Sequence, residues 1–446
     1  MLDKQNIYLI GIGGIGMSAL ARYFKSIGKN VAGYDRVQTP LCIQLESEGM
    51  AIHYEDSVDL IPKPFNDPKG TAVIYTPAIP EEMTELAYFK SNGFELMKRA
   101  LVLGKISQNH TCLAVAGTHG KTTTSALLAH LFKQAGHNIT AFLGGISSNY
   151  QTNFLAGDEN GILVAEADEY DRSFLQLKPA GAIITSVDSD HLDIYGEPEA
   201  LQATFREFRE SVTEKVVVQK DTELGGTSYS IDGNSDYVAT NVRIENHSYA
   251  FDMELPTGEI IKDINCGLPG RHNVENATAA AALALNFGLT AEEVKAGIAS
   301  FKGVKRRFEY HIKSEKLVYI DDYAHHPAEI NALVSSVKEL YPNKKITGIF
   351  QPHLFSRTRD FKDGFVEALS RLDEVILMDI YPAREKPIPG INSNMLLTQI
   401  TAKQKQHLST SEILTYLGEN TPQVVLTIGA GDIDKLVNPL KMKLLQ

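Results

Sequence analysis

Twice within the first 125 residues a short apolar run stops in a cluster of glycines and restarts as a helical pattern. In the first case residues 7–10 (IYLI) lead into Gly11-Ile12-Gly13-Gly14-Ile15-Gly16, after which Met17, Leu20, Ala21, Phe24 and Ile27 recur at helical spacing. In the second, residues 113–116 lead into Gly117-Thr118-His119-Gly120-Lys121-Thr122-Thr123-Thr124 and a helix predicted over 122–134, ended by Gly136. A strand, a tight glycine turn and a helix are the repeating unit of a parallel sheet covered by helices. Further strands are expected at 31–34, closing at Asp35, and at 72–75, 162–165 and 182–185. From about Lys215 to Gly267 the texture changes to short alternating runs, which predict antiparallel strands, before a helix at 276–287. Strand–helix alternation resumes beyond Tyr310, with strands expected at 317–320, 346–350, 374–378 and 424–428. The expected fold is α/β in three domains: an N-terminal Rossmann-like domain (1–109), a central P-loop-type domain with added antiparallel strands (110–309) and a C-terminal Rossmann-like domain (310–446).

A chain of 446 residues with 43% hydrophobic and 22% charged residues can build several cores. Its formal net charge of −12 argues against a general affinity for nucleic acid or anionic membranes. The apolar stretch near the N-terminus is broken at once by glycine, so it reads as a strand and not as a signal peptide. No run of about 18 apolar residues occurs, so no membrane insertion is expected. Cys42, Cys112 and Cys266 are too scattered for a disulfide framework or a zinc cluster, and reduced thiols in a cytoplasm are the simplest reading.

The first glycine cluster matches G-x-G-x-x-G, with Asp35 about 20 residues on. Glycines let the backbone approach a diphosphate whose charge lies at a helix N-terminus. UDP-linked and nicotinamide ligands pose the same problem, so a dinucleotide-dependent dehydrogenase remains an alternative that leaves the Lys121 loop unexplained. In that second loop, backbone N–H groups can cradle phosphates, Lys121 can reach the terminal phosphates and the Thr122 hydroxyl can ligate Mg²⁺. Val115 stands where the general P-loop pattern wants glycine, which makes this the shorter G-T-x-G-K-T form. Glu166-Ala167-Asp168-Glu169 follows a strand, and its carboxylates are candidate Mg²⁺ ligands. Asp188-Ser189-Asp190-His191 also follows a strand, where on chemistry alone His191 is a hydrogen-bonding partner and Asp188 and Asp190 read equally as surface. Asn273 and Asn276 open an Ala-rich helix with amides that suit a purine edge, or that cap the helix. Asp321-Asp322-Tyr323-Ala324-His325-His326-Pro327 and Gln351-Pro352-His353-Leu354-Phe355-Ser356-Arg357-Thr358-Arg359 both follow strands of the last domain. The paired histidines have no H-E-x-x-H or cysteine context for zinc, and Arg357 is a natural carboxylate anchor.

Taken in order, G-T-H-G-K-T-T-T, E-A-D-E, D-H-L-D, G-R-H-N-V-x-N-A, D-D-Y-A-H-H-P, Q-P-H and the late Gly429-Ala430-Gly431-Asp432-Ile433 resemble the Mur ligase family over essentially the whole chain. The resemblance implies an ATP-dependent ligase using Mg²⁺, with UDP-N-acetylmuramate and L-alanine as partners, working as a monomer or homodimer. It gives Gly11, Gly13, Gly14, Ile15, Gly16 and Asp35 to the UDP-sugar. Gly117, Thr118, His119, Gly120, Lys121, Thr122 and Thr123 would hold the ATP phosphates. Asn273 and Asn276 would meet adenine, with Arg307 and Asp322 approaching the same nucleotide. Thr122, Glu166 and His191 would surround the metal, which reverses the reading of His191 above. Lys121, Glu166, His191 and His325 carry the chemistry, and Tyr323, His325 and Arg357 border the amino-acid pocket. A murein-peptide-adding member of the family shares nearly every motif and is the closest rival. Sister ligases carry a carbamylated lysine shortly after the histidine motif; here no lysine lies between His191 and Lys215, so no carbamate is expected. Leu354 stands where some members carry arginine.

Overall fold

The computed structural model describes residues 3–158, 160–188, 198–245, 247–383 and 385–446. Among these, the strands form three sheets. The first contains β1 (Asn6–Ile10), β2 (Asn30–Tyr34), β3 (Ala51–His53), β4 (Thr71–Tyr75) and β5 (Glu95–Lys98) in the order β3-β2-β1-β4-β5. Every neighbouring pair runs parallel. Successive residues of β1 alternate between two cores. Ile7 and Leu9 pack with Met17, Leu20 and Phe24 of the helix Ile15–Ser26, whereas Tyr8 and Ile10 pack with Phe65, Leu86 and Phe89. The strand order reverses between β1 and β4, so the crevice that such sheets offer to ligands lies where the first glycine turn leaves β1.

The second sheet contains β6 (Thr111–Ala116), β7 (Ile139–Ser147), β8 (Thr152–Leu155), β9 (Ile162–Glu166), β10 (Gly181–Ile184), β11 (Lys215–Gln219), β12 (Thr227–Ile231), β13 (Tyr237–Glu245), β14 (Ser248–Glu254) and β15 (Ile260–Cys266). Its order is β15-β14-β13-β12-β11-β10-β6-β9-β7-β8. The strand before the Lys121 loop, β6, therefore runs parallel between β9 and β10, and the acidic segment after β9 emerges at the same edge as the loop. The hairpin β7–β8 is antiparallel. The alternating stretch after Lys215 departs from expectation: β11 pairs with β12, and β12 with β13, in parallel. Alternation of apolar and polar residues reports burial on one face and is blind to strand direction.

The third sheet contains β16 (Glu309–Lys313), β17 (Val318–Asp322), β18 (Ile346–Phe350), β19 (Glu374–Leu377), β20 (Gln404–His407) and β21 (Val424–Ile428) in the order β16-β17-β21-β18-β19-β20. Only β16 runs antiparallel to its neighbour among the described ladders of this sheet. β17, β18 and β21 are fully buried, and their carboxyl ends deliver Asp322, Gln351 and Gly429 to one edge. The chain divides into two compact units: Met1–Thr240 with Met253–Ile261 and Glu275–Phe301, and Asn241–Asp252 with Lys262–Val274 and Lys302–Gln446. Among the described residues no helix is long and apolar enough to cross a membrane.

Candidate active site

In the first unit the loop after β6 is shaped by two glycines with positive φ. Gly117 has φ +132°, and a Cβ there would lie 2.1 Å from Thr185 Oγ1. Gly120 has φ +78° at the start of the helix Lys121–Gln134, and a Cβ would lie 2.6 Å from Asn276 Oδ1. No L side chain fits either place without displacing a neighbour. The loop is braced by the residues that follow β10. The Thr118 and Ser186 hydroxyls are 2.8 Å apart, the His119 N–H donates to Ser186 Oγ at 3.0 Å, and the Asp188 N–H donates to Thr118 Oγ1 at 3.1 Å. Thr118, Thr122 and Thr123 are buried. His119 lies 3.7 Å from the Asp188 carboxylate.

Lys121 folds back over the loop. Its ammonium donates to the Gly117 carbonyl at 2.5 Å and pairs with the fully buried Glu169 at 2.7 and 2.9 Å. Burial opposes the charge on the lysine, but Glu169, with Asp168 and Glu166, outweighs it, so Lys121 titrates above its ordinary value. The Glu166 carboxylate lies against Gly144, where a Cβ would come within 2.1 Å of Oε2. The predicted Lys121, Thr122, Glu166 and Asn276 thus lie in one unit, around one loop. His191, with Asp190, falls outside the described residues.

At the first glycine turn, the N–H groups of Gly11 and Ile12 donate to the Tyr34 carbonyl at 2.7 and 3.0 Å. Asp35, expected at the ligand, turns onto the loop itself, where Oδ2 accepts the Gly13 N–H at 2.8 Å. A Cβ on Gly13 would lie 2.3 Å from Cys42 Sγ. Gly14 begins the helix Ile15–Ser26 with no side-chain cap and no acidic residue in the first turn. The open N–H groups at that helix end suit an anion.

In the second unit, Arg306 and Arg307 before β16 and the segments after β17 and β18 assemble a cationic and aromatic cluster. The Tyr323 ring has the Arg306 guanidinium at 5.2 Å and that of Arg307 at 5.1 Å. Tyr323 and His325 rings are 5.5 Å apart, those of His325 and His353 are 6.2 Å apart, and Arg357 Nη1 is 3.4 Å from His353 Nδ1. The expected Tyr323, His325, Arg307 and Arg357 are therefore neighbours. Burial lowers His325 to about 4, against the pull of Glu329, and lowers His353 to about 4, so both rings are neutral at pH 7. Asp322 accepts N–H bonds from Phe308 at 2.7 Å and Ala324 at 2.8 Å; burial raises it to about 6 although Arg307 is near. Asn273 is buried, and its amide donates to the Pro269 carbonyl at 2.6 Å. Gln351 binds Asp432 and the Ile433 N–H, both at 2.8 Å, which ties the end of β18 to the late glycine motif.

The roles of four residues are not visible in the sequence. Glu169 reads in the sequence as one candidate metal ligand in an acidic run, and the structure makes it the partner of Lys121. Thr185 and Ser186 brace the phosphate loop, and only their position after a strand hinted at it. Arg99 lies against the first glycine turn, and nothing local to it in the sequence distinguishes it from a solvated arginine.

Comparison with known proteins matches the Mur ligase family, catalytic domain, to residues 6–111, the Mur ligase middle domain to 115–284, and the Mur ligase, glutamate ligase domain, to 306–431. A UDP-N-acetylmuramate–L-alanine ligase of Flavobacterium psychrophilum is 52% identical over 442 residues, covering 99% of this chain and 98% of the relative. The crystal structure of a UDP-N-acetylmuramate–alanine ligase from Thermotoga maritima superposes with a TM-score of 0.85 at 28% identity, covering 98% of each chain. A murein peptide ligase from Psychrobacter arcticus shares the fold, with a TM-score of 0.73 at 23% identity over 99% of this chain and 98% of that one.

Proposed function

The chain belongs to the Mur ligase family, and on that premise we propose that it joins L-alanine to the lactyl carboxylate of UDP-N-acetylmuramate, converting ATP to ADP and phosphate in peptidoglycan precursor synthesis. The observation that carries this reading is the 52% identity, across 99% of the chain, to a ligase of that name. The working assignment gives the sugar nucleotide to residues 1–109, ATP to 110–309 and the amino acid to 310–446.

The lactyl carboxylate attacks the γ-phosphorus of ATP, ADP leaves, and an acyl phosphate forms; the alanine amine then attacks the acyl carbon and phosphate departs. Gly117 and Gly120 keep the loop backbone open to phosphate oxygens, and Lys121 exchanges Glu169 for the terminal phosphates. Thr122 and Glu166 are hard oxygen donors that suit Mg²⁺, and Gly144 leaves room beside Glu166. Bound there, Mg²⁺ would offset charge on the transferred phosphoryl group. His191 belongs to the same expected donor set. Asn273 and Asn276 serve adenine, and Arg307 and Asp322 the same nucleotide. Arg357 offers a fork for the amino-acid carboxylate, and Tyr323 and His325 border that pocket.

Phosphate release from ATP tests the proposal, with UDP-N-acetylmuramate and each amino acid supplied in turn. Release should require both the sugar nucleotide and L-alanine. Release with a murein tripeptide and none with alanine would move the chain to the peptide-adding branch of the family.

A further inference from the structure

A cavity of about 100 Å³ lies between the first glycine turn and the acidic edge of the second sheet. Gly16, Arg99, Gly144, Glu166 and Asp168 contribute to its lining, so it joins the helix end expected to hold diphosphate to the carboxylates beside the ATP loop. Arg99 comes from the segment after β5, and its Nη1 would stand 2.2 Å from a Cβ on Gly16. The guanidinium is therefore packed onto the first turn of the helix Ile15–Ser26, where the macrodipole is already positive. That turn has neither a side-chain cap nor an acidic residue to compensate. Among the described residues the carboxylate paired with Arg99 is Asp168, at 3.4 Å, a long contact between two partly exposed groups, worth little by itself. A cation pressed against a positive helix end and only loosely paired is favourable when an anion is shared by both.

We propose that Arg99 is a binding residue for the acceptor, and that its guanidinium holds an anionic group of the sugar nucleotide between the first glycine turn and the acidic motif. The inference rests on the ligase reading above, which requires the lactyl carboxylate to travel with the diphosphate and to meet the γ-phosphate. Two groups of the same ligand have the right chemistry, the diphosphate and the lactyl carboxylate, and a planar fork suits either. In the absence of ligand, Asp168 supplies the negative charge that the ligand brings.

Calorimetric titration of UDP and of UDP-N-acetylmuramate into the wild type, Arg99→Ala, Arg99→Lys and Asp168→Asn tests this, with KM for ATP measured alongside. Arg99→Ala should weaken UDP-N-acetylmuramate at least tenfold, and Arg99→Lys by less, with KM for ATP within twofold of the wild type. Equal weakening of UDP assigns Arg99 to the diphosphate; UDP left unchanged assigns it to the carboxylate. Asp168→Asn frees the guanidinium and should leave sugar-nucleotide affinity unchanged or tighter. If Asp168→Asn weakens binding as much as Arg99→Ala, the pair is a structural tie and the proposal is overturned. Unchanged affinity in Arg99→Ala while the wild type binds both ligands overturns it alone. A wild type that binds neither ligand overturns the ligase reading as well.

Discussion

Because Lys121 and Glu169 form a buried ion pair, replacing the lysine has two separable consequences. Lys121→Ala removes the charge meant for the terminal phosphates, and it strands a carboxylate that is fully buried. An orphaned buried charge costs about 3–5 kcal/mol. We expect Lys121→Ala to abolish phosphate release and to lower the melting temperature, while Lys121→Ala/Glu169→Gln recovers the melting temperature and stays inactive. Recovery of activity in the double variant would remove Lys121 from the chemistry. Leu354 raises a different residue-scale question. It sits at φ +71°, ψ 138°, just before the short helix Phe355–Asp360, in a region that glycine tolerates and leucine does not. Such a residue stores about 1–3 kcal/mol of strain. Leu354→Ala and Leu354→Gly lose the same side-chain packing beyond Cβ, so their difference reads the backbone. The glycine variant should be the more stable by about 1 kcal/mol or more on that scale. Thermal denaturation of both decides it, and an alanine variant of equal or greater stability means that the strain there is no larger than the extra backbone entropy glycine loses on folding.

At the scale of elements, β1, β3 and the helix Thr84–Ser91 converge on a buried polar triad. Tyr8 Oη donates to Glu85 Oε2 at 2.7 Å and lies 2.7 Å from His53 Nε2. Burial is the main cause that pushes Glu85 up to about 7 from an ordinary 4.5, and it pushes His53 down. The signs follow. A carboxyl raised in the fold costs stability when ionised. Its cost is absent below the unfolded value, grows between 4.5 and 7, and is complete above 7. His53 acts the other way, penalising the fold as pH falls below its ordinary 6.5. Glu85→Gln isolates the carboxyl, so its stability relative to the wild type should be higher at pH 8 than at pH 5, by up to about 3 kcal/mol. Urea midpoints at the two pH values measure this, and a pH-independent difference would refute it. Of the elements that made this triad only β1 was legible, as an apolar run, because a parallel strand buried on both faces leaves an unbroken signature; β3, three residues none of them buried, and the helix Thr84–Ser91 left no such run. Strand direction after Lys215 was not legible, since alternation is the same for both directions. Nor were Arg99, Thr185, Ser186 and the role of Glu169, because each acquires its meaning from a partner at least 48 positions away along the chain.

At the scale of the whole molecule, the three cysteines report on different places, two in the first unit and one in the second. Cys42, Cys112 and Cys266 are free thiols at 0%, 0% and 3% exposure, and burial pushes Cys112 and Cys266 up to about 12. Each reacts with a thiol reagent only after its surroundings open. Cys42 packs beneath Gly13 of the first glycine turn, Cys112 belongs to β6, which leads into the Lys121 loop, and Cys266 belongs to the second unit. A ligand that binds only the closed form lowers the open population in proportion to its saturation, about 100-fold when supplied at 100 times Kd. UDP should therefore slow labelling of Cys42 most, ADP should slow Cys112, and neither should slow Cys266 if the second unit opens independently. Labelling at low denaturant, read cysteine by cysteine by mass spectrometry, separates the cases. Equal slowing of all three by either ligand would mean that the two compact units open as one cooperative body. Slowing of Cys112 but not Cys42 by UDP would place the uridine nucleotide away from the first glycine turn, and with it the acceptor that Arg99 is proposed to hold.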